Sequence, residues 1–180
     1  MIKFKFEDQT VSLPEKWSEV TVEIFSNPDF YSGNAIKLLA SFSGVSVDKL
    51  MNTTKDLTKY LVQISNLVIK DKEGYRGKPD VPITFKLLDV DCKVPTNIEL
   101  RSFGQKVMYG QALAKCKYSN EAIPEAIAIY LAPQIFPKDW YERIDEITDA
   151  VRKMKIVDCY SLADFFLLSI LRHRSDGIKS

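Results

Sequence analysis

The segment IKFKFEDQTVSLP (2–14) recurs in character as ITFKLLDVDCKVP (83–95). At an offset of 81 residues and without a gap, Ile2 falls on Ile83, Phe4 on Phe85, Lys5 on Lys86, Asp8 on Asp89 and Pro14 on Pro95. Phe6 with Leu87, Val11 with Cys92 and Leu13 with Val94 complete the match. Apolar residues alternating around a polar turn are the pattern of a hairpin with one buried face. Alternation explains the apolar matches but not the aligned Lys, Asp and Pro, so the segments are read as an internal repeat. A two-stranded ribbon alone is marginal in water. Each half must therefore cover its own ribbon, pair it with the other, or offer it to a neighbouring chain.

After each ribbon the chain reads as helical. In the first half, Thr21–Ser26 is short, with a break near Asn27-Pro28. The next helix, Asn34–Phe42, carries Ile36, Leu38, Leu39 and Phe42, with Gly44 placed for a left-handed cap. After a short turn at Val47–Met51, Thr53 with Asp56 reads as a capping box. It opens a helix striped by Leu57, Tyr60, Leu61, Ile64, Leu67 and Val68. In the second half, Thr96 with Glu99 reads as a capping box for a helix through Leu100, Phe103, Val107 and Leu113. Asn120–Ala132 comes next, ended by Pro133, which cannot donate a helical hydrogen bond. Asp139 with Glu142 then caps a helix bearing Ile144, Ile147, Val151 and Met154, and Ser161 with Asp164 caps the last. The fold class is α+β, mostly α-helical, built from two related β-hairpin-plus-helices units. These span 1–70 and 83–174, with 71–82 a linker, 175–180 a tail, and the question of one shared core left open.

The last helix, Val157–Arg174, is apolar almost all round: only Asp164 and Ser169 interrupt the run from Leu162 to Leu171. Such a helix must be covered on nearly every side, yet it is short of the about 20 apolar residues of a membrane span. Phe165, Phe166, Leu167 and Leu168 are consecutive and point in different directions around the helix. They are the candidate interface residues, expected to pack on the first unit or on another chain. Tyr60 and Leu61 fall over Phe165 and Phe166, so the helix from Thr53 to Lys70 is its counterpart.

Composition narrows the function classes. Net charge is +1, and residues 1–80 carry 11 basic and 11 acidic side chains, so no basic block marks nucleic-acid binding. The start, MIKFKFEDQT, lacks the apolar core of a signal peptide. Cys92, Cys116 and Cys159 are odd in number and far apart, as expected of a protein made in a reducing cytoplasm. His173 is the one histidine and is placed to cap a helix C-terminus. That terminal position argues against the usual triads and dyads, and one histidine with scattered cysteines makes none of the usual zinc sets. Asp139, Glu142, Asp145, Glu146 and Asp149 are interleaved with Arg143, Arg152 and Lys153, the pattern of a solvated helix face. A carboxylate site at Asp145 and Asp149 is the rival enzyme reading. No catalytic residue, cofactor or metal ligand is assigned, no membrane contact is expected, and association is what remains.

Two stretches of the second half, AIPEAIAIYLAPQIF (122–136) and IVDCYSLADFFLLSIL (156–171), carry a resemblance. With VTVEIFSNPDF and AIKLLASFSGVSVDKL of the first half, they resemble small proteins encoded near the portal and tail genes of tailed bacteriophages. The likeness is to phages of Bacteroidetes, including crAss-like phages, and to tail-assembly-chaperone-like proteins. It implies a non-enzymatic role at the portal or tail, with other copies of itself or with phage tail or portal proteins as partners. A chaperone absent from the mature virion and a cytosolic host-interaction adaptor are the alternatives.

Overall fold

The computed structural model describes residues 1–70, 83–95, 98–116 and 119–177, from 168 onward as backbone. The linker expected at 71–82, Thr96, and the side chains of Leu168 and His173 lie outside the described residues.

Strands β1 (Ile2–Phe6) and β2 (Gln9–Leu13) form one antiparallel hairpin, and β3 (Ile83–Leu87) and β4 (Val90–Val94) the other. The repeat holds to the residue. Ile2 pairs with Leu13 as Ile83 pairs with Val94, and Phe6 with Gln9 as Leu87 with Val90. Each turn has two residues, with positive φ at Glu7 in the first and at Leu88 and Asp89 in the second, as the tight hairpin turns require. Phe6, Val11 and Leu13 are buried, and so are their counterparts Leu87, Cys92 and Val94. The hairpins do not pair with each other; each is its own two-stranded sheet.

Helix α1 (Val22–Ser26) is capped by the Thr21 hydroxyl, which accepts from the Ile24 N–H. Asn34 accepts from two amides at the head of α2 (Ala35–Ser43), and Gly44 closes it with φ 69°. Helix α3 (Val47–Met51) starts at Ser46. Helix α4 (Thr58–Lys70) starts later than Thr53: Asp56 accepts from the Thr58 N–H, and Thr53 only closes a turn onto Lys55. Tyr60 of α4 stacks on Phe4, with ring centroids 4.1 Å apart, so the helix covers the first hairpin.

The second half holds α5 (Phe103–Lys115), α6 (Ile123–Ile135), α7 (Ile144–Lys153) and α8 (Ile156–Gly177). Helix α8 packs against β3 of the second hairpin. It starts earlier than Ser161 and runs on into the expected tail, bending at Cys159 (φ −131°, ψ 20°). Asp139 does not cap α7. It takes a left-handed φ of 56°, and a 3-10 turn (Trp140–Arg143) intervenes before Ile144. The apolar face of α7 is as expected, with Ile144, Ile147 and Val151 buried.

Helix α6 is the centre of the molecule. From Ala126 to Ala132 only Tyr130 reaches the surface at all. Helices α1, α5, α7 and α8 all pack on it. The two units share one core, joined by backbone as well as side chains. The Val22 N–H donates to the Met154 carbonyl and the Ile156 N–H to the Val20 carbonyl, each at 2.9 Å. The buried Asn120 amide donates to the Ser26 carbonyl at 2.7 Å.

Candidate protein-protein interface

Pro133 was expected to end its helix, and the chain instead stays helical through it to Ile135. A proline inside a helix removes one N–H and pushes its ring toward the carbonyl four residues back. Here that carbonyl belongs to Ile129, and it is not left bare: Gln105 Nε2 of α5 donates to it at 3.0 Å, and lies 3.4 Å from the Tyr130 carbonyl. The other end of the Gln105 amide forms a capping box. Its Oε1 accepts from the Arg101 and Ser102 N–H groups, while the Ser102 hydroxyl accepts from the Gln105 N–H. Glutamine serves both ends because it carries a donor and an acceptor, which glutamate does not.

This anchor fixes the rotation of α5. Gln105, Tyr109 and Ala112 face α6 and α8, and the Tyr109 and Phe166 ring centroids lie 5.5 Å apart. Phe103 is two residues before Gln105, about 200° round the helix, and so points outward. It is 82% exposed and Val107 is 40% exposed. Gly110 and Ala114, also exposed, continue the same line. The outer face of α5 is thus an apolar seam with a large residue at its head and small ones below. It adjoins a second apolar surface: the Trp140 ring lies 3.6 Å from where a Gly104 Cβ would sit, and Tyr141 beside it is 55% exposed. Leaving a phenylalanine in water forgoes about 1.5–3 kcal/mol of burial. Contiguous apolar surface of this kind marks contact sites.

Next to the seam, α5, α6 and the end of β4 enclose a cleft of about 450 Å³ with Lys93, Glu99, Arg101, Tyr130, Gln134 and Trp140 on its walls. Tyr130 is 8% exposed. Burial raises its phenol above the ordinary value, and the Arg101 charge acts in the opposite direction.

The interface expected on α8 is corrected in part. Phe166 is wholly buried between Tyr109 and Tyr130 and belongs to the chain's own core. Leu167 is half-buried against that core, and Phe165 is 37% exposed. The helix packs on α6, on β3 and on the 3-10 turn Trp17–Glu19 of the first unit. On α7 the acidic residues lie exposed. Glu146 pairs with Arg143, and Asp149 with Arg152 at 2.9 Å. Among the described residues no group of three or more His, Cys, Asp or Glu is arranged to hold a metal ion.

The sequence held two capping-box patterns in this region, Thr96 to Glu99 and Ser102 to Gln105. Only the second also offers a donor to the carbonyl that Pro133 strands, and that signal was there to read. Among the described residues no helix is long and apolar enough to cross a membrane. No family model matches the chain, and neither a curated protein nor a solved structure matches it.

Proposed function

We propose that this chain acts by binding, as a non-enzymatic structural or assembly protein of a tailed bacteriophage working at the portal or tail. The outer face of α5 is its contact surface, and its partners are other copies of itself or phage tail or portal proteins. The observation that carries this reading is Phe103, 82% exposed at the head of a 13-residue helix whose inner face is fully engaged. A chain working alone gains nothing from that exposure. In an assembly the same residue is buried at every repeat of the contact. The resemblance of 122–136 and 156–171 to proteins encoded near portal and tail genes supplies the setting.

Mass spectrometry of purified particles, set against infected-cell lysate, tests the proposal. Presence in particles supports the structural role. Presence in lysate alone, with a tail protein bound, supports the assembly-chaperone alternative. A stable monomer that captures neither tail nor portal protein overturns both.

A further inference from the structure

The cleft beside α5 offers a matched set of groups that the fold itself does not use. The Tyr130 hydroxyl makes no hydrogen bond among the described residues, although the residue is more than nine-tenths buried. It faces a wall carrying Arg101 and Lys93, neither of which has an ion-pair partner among the described residues. Gln134 spends its Oε1 on the Lys93 N–H at 3.2 Å, which leaves its amide N–H groups available. Ser102, the N-cap of α5, lines the cleft, so the positive end of the helix dipole lies at its edge. Among the described lining residues Arg101 and Lys93 carry positive charge, and Glu99 is the one carboxylate.

We infer that this cleft receives a carboxylate carried by an extended segment of a partner protein, whose apolar residues lie along Phe103 and Val107. Arg101 supplies the fork-shaped donor pair suited to a carboxylate, and Tyr130 donates a third hydrogen bond from the floor. Glu99 disfavours a free dianion such as phosphate more than it disfavours a single carboxylate, so the geometry selects an acidic side chain on a peptide. The cleft volume lies within the usual range for small binding sites and accepts one such side chain with its neighbours. The inference rests on the reading of α5 as a contact face and names the chemistry of what binds there.

The test is amide chemical-shift mapping of the full chain with a capped hexapeptide of alternating leucine and glutamate, and with its glutamine twin. The glutamate peptide is expected to shift amides around Arg101, Ser102, Tyr130 and Gln134. The glutamine twin and the Arg101→Gln variant should each bind about tenfold more weakly, as loss of a charge-assisted hydrogen bond implies. Tyr130→Phe should weaken binding by a smaller factor, and Arg101→Lys should recover part of the loss. Unperturbed spectra elsewhere show that the variants fold. Equal binding of the two peptides overturns the inference, as does displacement by inorganic phosphate at equal concentration, since the site is then one for small anions. Peptide binding without any partner contact at Phe103 in cells upholds the cleft while removing the proposed function. Partner contact at Phe103 with no peptide binding removes the cleft alone.

Discussion

Gln105 Nε2 lies 3.0 Å from the carbonyl oxygen of Ile129, the acceptor that Pro133 leaves without its helical donor. One side chain thereby repairs α6 and orients α5. Replacing Gln105 with Leu strands that carbonyl in the core, at a cost of about 1–3 kcal/mol, and removes the cap, at about another 1 kcal/mol. Pro133→Ala restores the N–H. The cost of Gln105→Leu should therefore shrink by about 1 kcal/mol in the Pro133→Ala background. Equilibrium urea unfolding of the four proteins measures this, and strictly additive effects contradict the repair.

The two units fold as one. Val20 and Val22 of the first half exchange backbone hydrogen bonds with Ile156 and Met154 of the second, and Asn120 crosses the boundary to the Ser26 carbonyl. Residues 1–70 expressed alone should lack the dispersed amide spectrum and cooperative melting of the whole chain. Asn120→Ala should cost about 1–3 kcal/mol in the intact protein, because the Ser26 carbonyl is then buried without a donor. Independent folding of the first fragment contradicts the shared core.

Neighbouring phenylalanines of α8 should behave in opposite ways. Phe166→Ala empties a fully enclosed site and should destabilise by about 3–5 kcal/mol. Phe165→Ala, at 37% exposure, should cost well under half as much by thermal unfolding.

The cysteines give a pH signature. Burial pushes the Cys159 thiol up from 9.0 to about 12, and Cys92 also upward. Between those values the unfolded chain carries a Cys159 thiolate while the native chain keeps its proton. The native state then binds more protons, and stability falls as pH rises from about 9 to about 12. The contribution is complete below pH 9. Cys159→Ala should flatten this part of the alkaline limb of the stability profile. Iodoacetamide under native conditions at neutral pH should modify Cys116, which is partly exposed, and spare Cys92 and Cys159.

Much of this fold was legible because its signals are local. Period-2 alternation and the aligned Lys, Asp and Pro located both hairpins, and the Asn34 and Gly44 ends of α2 follow from single residues. Long-range choices were not legible in that way. The rotation of α5 depends on a carbonyl freed by Pro133, 28 residues beyond Gln105 in the chain, so apolar spacing alone does not tell which of its residues face the core. The same gap hid the contact face. Phe166 was read as interface because α8 is apolar all round, and only the packing of Tyr109 and Tyr130 shows how completely the chain covers it.

The most direct test places a photo-crosslinking amino acid at position 103 during infection, with position 62 as control, since Val62 is 54% exposed on the unrelated helix α4. Adducts at 103 with a tail or portal protein, or with a second copy of the chain, and markedly fewer at 62, are the expected result. Equal yields at the two positions, or none at 103, would contradict an assembly role for the outer face of α5.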